Sequence, residues 1–347
     1  MHRIYLFVGL ILFGTFDCTA VPSRFEATDQ PLKLKGATGQ TAEWLHFFAP
    51  EPQTFSYTVD DGEVDGTVRM VRIVYPSPMR TPFPENDTIP GELYLPKNAD
   101  GRVPVAIVLD ILDGRAIVPR MMARSLAARG VAAFYFPMPY YNARRPKDKA
   151  PWQLIDNNLD NALSPLRQTV MDIRRAKAIL ASRAEIDPQR IGITGISLGG
   201  IVTALAAGVD GDFYRVAPIM AGGDLATIVF HARETHRLRE ALQQKGLGRE
   251  EFAKLIAPVE PLNFASRIAP ATCLMINAAQ DEVIPKTTTM ELCHRVGDPV
   301  ILWMPTGHYS SALFLPNAQQ KVADLMLGKE VKSLDFDSAV SPASPIR

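Results

Sequence analysis

Gly195-Ile196-Ser197-Leu198-Gly199 decides how this chain is read. Before it runs Arg190-Ile191-Gly192-Ile193-Thr194, an apolar, β-branched stretch with the character of a strand. After it, Gly200-Ile201-Val202-Thr203-Ala204-Leu205-Ala206-Ala207 has the character of a helix. A serine flanked by glycines on a strand-to-helix turn is the pattern of a nucleophile elbow. Glycine lets the backbone bend tightly there because it carries no Cβ. The serine Oγ would stand at the carboxyl edge of a sheet, and the helix N-terminus would place partial positive charge where an oxyanion forms. The competing reading is a glycine-rich turn holding an ordinary serine. The chemistry around it separates the two.

Working outward, strand and helix signals alternate. Val103 to Leu109 is an apolar run, Ile117 to Arg129 reads as a helix ended by Gly130, and Val131 to Phe136 is a second apolar strand. Leu166, Val170, Ile173, Ala176 and Leu180 recur at three- and four-residue spacing, which predicts an amphipathic helix. Arg215 to Met220, Thr272 to Asn277 and Val300 to Met304 are further strands. This alternation predicts a mostly parallel sheet covered on both faces, with ligands bound at the carboxyl ends of the strands. Upstream, Thr54 to Val59, Thr67 to Tyr75 and Gly91 to Leu95 read as strands, the proline-rich stretch 76–90 as a loop, and 21–45 as an irregular lead-in. Residues 223–257 interrupt the alternation with a charged helix, His231 to Gln244, and a second one, Arg249 to Ile256. They form either a cap over the site or a solvated connecting pair.

The boundaries of the chain follow from composition. A basic start at His2 and Arg3, an apolar run from Ile4 to Phe16 and the small residue Ala20 make residues 1–20 a secretory signal, cleaved after Ala20. The run is too short to span a bilayer as a helix, although an uncleaved anchor is the alternative reading. Residues 21–89 then form an extension with the first strands, 90–328 the catalytic domain, and 329–347 a polar, flexible tail. The 347 residues carry no net charge, which points away from nucleic acid or an acidic partner. Cys273 and Cys293 remain after signal removal; an even count in an exported protein permits one disulfide, and two small buried apolar side chains are the alternative. Asn86-Asp87-Thr88 fits the acceptor pattern for N-glycosylation.

A serine hydroxyl needs a base within hydrogen-bond reach, and the base needs an orienting group. On an elbow of this kind the chain order is Ser, acid, His. Asp281 follows the strand Cys273-Leu274-Met275-Ile276-Asn277 and is the candidate acid, with Glu282 its local competitor. Of six histidines, His308 alone lies in a loop after a predicted strand and after Asp281; His294 falls mid-helix, and His46, His231 and His236 precede the acid. The oxyanion donors are expected to be the backbone N–H of Leu198 and one from Ile111 or Leu112. Tyr140 and Tyr141, just past a strand, either line the substrate pocket or lie on the surface. His231 and His236 are five apart rather than four, so they do not share a helix face as metal ligands would. No metal or organic cofactor is implied.

Residues 186–200, Asp281-Glu282-Val283-Ile284-Pro285 and Gly307-His308 together make the chain resemble the α/β-hydrolase superfamily over about residues 90–328. The resemblance is to its dienelactone-hydrolase-like and acetyl-xylan-esterase-like branch, and to the catalytic domain of prolyl oligopeptidases. It implies an α/β-hydrolase fold with an eight-stranded, mostly parallel sheet, helices on both faces and Ser197, Asp281 and His308 as the triad. Two departures matter. Asp110-Ile111 stands where many members carry His-Gly, and the elbow holds serine where dienelactone hydrolases use cysteine. The segment before residue 90 is too short for the amino-terminal propeller of the oligopeptidases. The expected activity is therefore that of a secreted or periplasmic serine esterase acting through an acyl-enzyme on small or medium acyl esters. An acyltransferase or thioesterase on the same triad, and a non-catalytic binding protein with this fold, are the alternatives.

Overall fold

The computed structural model describes residues 22–34, 37–147 and 163–331; the leader of residues 1–20 and the tail beyond 331 lie outside them. Ten strands are present in the described residues: β1 (Ser23–Thr28), β2 (Thr54–Asp65), β3 (Val68–Pro76), β4 (Thr88–Pro96), β5 (Val103–Leu109), β6 (Ala132–Tyr135), β7 (Ile186–Ile196), β8 (Val216–Ile219), β9 (Leu274–Ala278) and β10 (Val300–Met304). They make one sheet in the order β1-β2-β3-β4-β6-β5-β7-β8-β9-β10. Pairings from β6 through β10 are parallel, and those among β1, β2, β3, β4 and β6 are antiparallel. The expected eight strands are thus corrected to ten. β1 and β2 extend the sheet beyond β3, and β1 lies in the stretch expected to be irregular. Only Ala27 of β1 is buried, so its side chains show no period; pairing with β2, from Ser23 opposite Val59 to Thr28 opposite Thr54, makes it a strand.

The helices are α1 (Gly39–Phe47), α2 (Pro84–Asp87), α3 (Ile117–Ala127), α4 (Ser164–Ser182), α5 (Leu198–Asp210), α6 (Leu225–His231), α7 (His236–Gln244), α8 (Arg249–Ile256), α9 (Lys286–Val296) and α10 (Leu315–Met326). Successive side chains of a strand point to opposite faces. Val105, Ile107 and Leu109 of β5 accordingly pack with α4 and α5, while Ala106 and Val108 pack with α3 and α10. Burial on both faces is why β5 reads as a continuous apolar run. Cys273 and Cys293 are buried free thiols, so no disulfide joins them. Asn86 is fully buried and its Nδ2 donates to Gln168 Oε1 at 2.8 Å, which leaves no room for a glycan there. No helix among the described residues is long and apolar enough to cross a membrane.

Because β5, β7, β9 and β10 run parallel, the residues after their carboxyl ends gather at one edge of the sheet. Asp110 follows β5, Ser197 follows β7, Asp281 lies just beyond β9 and His308 just beyond β10. The insertion α6–α8 leaves from β8 at the same edge.

Candidate active site

Ser197 has φ 56° and ψ −118°, a conformation that L-residues rarely adopt. Close packing holds the bend in place. A Cβ on Gly195 would come 2.4 Å from the Gly199 carbonyl oxygen, and one on Gly199 would come 2.5 Å from that of Asp110. Both motif glycines are therefore required by backbone approach. The Ser197 N–H donates to Ile219 O at 2.9 Å, and Ile201 N–H donates to Ser197 O at 2.9 Å, which opens α5.

The three residues selected from the sequence come together across β7, β9 and β10. His308 Nε2 lies 3.0 Å from Ser197 Oγ, and its Nδ1 lies 3.0 and 2.9 Å from the two carboxylate oxygens of Asp281. Asp281 Oδ1 also accepts from the N–H groups of Val283 (2.9 Å) and Ile284 (2.8 Å), which fixes the carboxylate in a turn. The histidine loop is held separately. The His308 N–H donates to Glu282 Oε2 at 2.7 Å, and Ser311 Oγ donates to the His308 carbonyl at 2.6 Å. Glu282, the sequence competitor for the acid, thus anchors the backbone of His308. Gly307 makes room for it, since a Cβ there would lie 2.6 Å from Glu282 Oε2. His294 pairs with Asp298 on the exposed end of α9, away from this cluster.

Leu198 begins α5, so its N–H has no acceptor within the helix. Ile111 and Leu112 line a cavity that opens at Ser197 and His308. The expected place of Tyr140 and Tyr141 is corrected: neither lines the two cavities that meet at Ser197. Tyr141 is buried, and its hydroxyl donates to the Leu112 carbonyl at 2.9 Å, so it braces the loop after β5. Tyr140 has φ 67°, its N–H donates to Asn86 Oδ1, and its ring meets Phe83 edge-on. Which way a side chain turns after a strand end leaves no mark in the sequence.

Two further features were not legible. Asp110, at the end of β5, is fully buried; Tyr135 donates its hydroxyl to Oδ2 at 3.0 Å, while Oδ1 has no partner among the described residues. Burial pushes its carboxyl up to about 7, opposed by the Tyr135 hydrogen bond and reinforced by nearby Asp113. The second is a bridge: Tyr309, next to His308, donates its hydroxyl to Glu234 of the insertion. That bond, with burial adding to it, holds the phenol up at about 12. The insertion is a cap rather than a solvated pair. Ile228, Val229, Leu238, Phe252 and Ile256 all line a cavity at Ser197. It begins with a helix, α6, ahead of the two expected ones; Glu260 secures the start of that helix by accepting from the N–H groups of Asp224 (3.0 Å) and Leu225 (2.8 Å).

Comparison with known proteins agrees with this architecture. An acetyl xylan esterase from Paenibacillus sp. R4 superposes with a TM-score of 0.63 at 20% identity, over 84% of this chain and 96% of that one. Acetyl xylan esterase 1 from Thermoanaerobacterium sp. JW/SL YS485 gives 0.61 at 15% identity, over 81% and 94%. The chain has the α/β-hydrolase fold. An acylaminoacyl peptidase also carries this hydrolase fold, with a TM-score of 0.56 and 17% identity over 82% of this chain but 48% of its own. Residues 165–299 match the prolyl oligopeptidase family, a span that holds Ser197 and Asp281 and stops short of β10. No curated protein sequence matches the chain.

Proposed function

We propose that this α/β-hydrolase is a serine esterase, exported by the leader of residues 1–20, which cleaves carboxylic esters through an acyl-enzyme. The observation that carries the reading is the relay from Ser197 Oγ through His308 Nε2 and Nδ1 to Asp281, with every link at 2.9–3.0 Å. In this mechanism His308 takes the Ser197 proton as Oγ attacks the ester carbonyl. The developing oxyanion is received by the N–H of Leu198 and one from the Ile111–Leu112 loop. His308 then gives its proton to the departing alkoxide, and water repeats the sequence to release the acid. Asp281 holds the imidazole in the tautomer with its proton on Nδ1. The esterase names of the two acetyl xylan esterases, whose lengths this chain nearly spans, favour ester over amide cleavage.

The match to the prolyl oligopeptidase family favours peptide cleavage as the second reading. Both are tested by assaying p-nitrophenyl butanoate and a peptide p-nitroanilide with wild type, Ser197→Ala and Asp281→Asn. The ester should turn over in wild type and lose at least about 10⁴-fold in kcat in either variant. Equal turnover by wild type and Ser197→Ala would exclude Ser197 as nucleophile. Faster release of the anilide than of the ester would favour the peptidase.

A further inference from the structure

Two cavities of unequal size meet at Ser197. The larger, about 460 Å³, runs toward α3 and α10 past Val118, Met304, His308 and Ala312. The smaller, about 110 Å³, lies under the cap against Ile228, Val229, Phe252 and Ile256. Leu112, Ser197, Val283 and Glu234 belong to both and form the wall between them. An ester whose carbonyl sits at Ser197 Oγ sends its two arms into different cavities. The direction is set by the proton. The C–O bond to the alcohol breaks as His308 Nε2 delivers the proton taken from Ser197, so the alcohol oxygen must lie on the His308 side. His308 lines only the larger cavity of the two.

Charge and polarity narrow the substrate. No lysine or arginine lines either cavity among the described residues, whereas the carboxyl-bearing Glu234 lines both and Asp113 lines the larger. A substrate carboxylate would meet like charge and no partner. Apart from Ser197, His308, Ser311, Tyr309 and the two acidic residues, the walls of the larger cavity are apolar, so a hydroxyl-rich alcohol would lose most of its hydrogen bonds to water without replacement. We infer that this site selects neutral esters joining a compact apolar acid, seated under the cap, to a bulkier apolar alcohol, seated in the larger cavity. The inference rests on the esterase reading and separates this chain from the acetylated polysaccharide named for its structural neighbours.

The test uses two ester series with alkyl alcohols, so that leaving-group acidity stays matched. One varies the acid of an ethyl ester, and the other varies the alcohol of a butanoate from ethyl to hexyl to cyclohexylmethyl. Acetylated xylobiose and ethyl hydrogen succinate complete the set. While an arm fits, each methylene should raise kcat/KM by about threefold to fourfold. The acid series should peak early and the alcohol series should keep rising. Val229→Ala should move the acid optimum to longer chains. Val118→Trp should lower kcat/KM for cyclohexylmethyl butanoate at least about tenfold more than for ethyl butanoate, and Ala312→Trp, on an exposed turn, obstructs the same cavity should the first variant not fold. The inference is overturned if acetylated xylobiose or the succinate outruns cyclohexylmethyl butanoate, or if Val118→Trp and Ala312→Trp penalise long acids instead of bulky alcohols. Ester turnover that survives in Ser197→Ala is a different result and would overturn the esterase reading together with the inference.

Discussion

Asp110 places an ionisable group directly before the loop of Ile111 and Leu112 that lines the cavity at Ser197. Its carboxyl is raised from an ordinary 3.8 to about 7, chiefly by burial. The folded protein therefore holds a proton that the unfolded chain releases at much lower pH. The stability contributed by that proton is complete below the unfolded value and is lost as pH rises through about 7. From about pH 5 to about pH 8 the wild-type melting temperature should fall relative to that of Asp110→Asn, which keeps the Tyr135 contact and cannot ionise. Parallel pH profiles for the two proteins would show that Asp110 titrates normally. The same residue explains a limit of sequence reading. Asp110-Ile111 is visible as a departure from His-Gly, but the Tyr135 hydroxyl on its carboxyl is a consequence of β5 and β6 lying side by side.

At the scale of elements, α4 shows how a helix can bury more than its apolar stripe. Gln168, Asp172 and Arg175 are buried alongside Val170, Ile173 and Ala176. Arg144 and Asp172 are fully buried and pair at 2.8 Å; Arg144 also donates to the carbonyls of Asn86 and Pro137, and Ser77 Oγ donates to Asp172 at 2.6 Å. This network ties α4 to the loops before α2 and after β6. Arg144→Met should cost about 3–5 kcal/mol in urea unfolding, because it strands a buried carboxylate. Adding Asp172→Leu should recover part of that loss, and a double variant weaker than the single one would contradict the account. None of this was legible, since Ser77, Asn86 and Arg144 are remote in sequence and their polarity marks a surface by default. The elements that were legible are those whose burial repeats locally. β5 and β10 fall at the residues the apolar runs delimit, Val103–Leu109 and Val300–Met304. The cluster of Ser197, Asp281 and His308 was legible because the elbow fixes one member and chain order restricts the others. By contrast α1 buries only Leu45, and α6 is about two turns long and held by Glu260 from far along the chain.

Across the whole molecule, the amino-terminal elements are part of the core that carries the site. Phe48, just after α1, meets Phe264 edge-on at 5.9 Å, and Trp44 meets the same ring at 6.5 Å. Phe264 in turn lies against Gly208 of α5, the helix that follows Ser197; a Cβ on Gly208 would come 2.7 Å from it. Phe48→Ala should cost about 3–5 kcal/mol. Combined with Phe264→Ala it should show a coupling of about 0.5–3 kcal/mol in a double-mutant cycle, and simple additivity would mean that the two rings do not share a core.

The sheet also orders events in time. Ser197 and its helix leave the ribosome well before His308, which lies 111 residues further along. At about 5–20 residues per second, that interval is on the order of ten seconds. Through it the nascent chain carries a serine with no base beside it. On the function proposed above, the hydroxyl gains its reactivity only when β10 docks on β9, so a chain that has not yet reached His308 is inert toward esters.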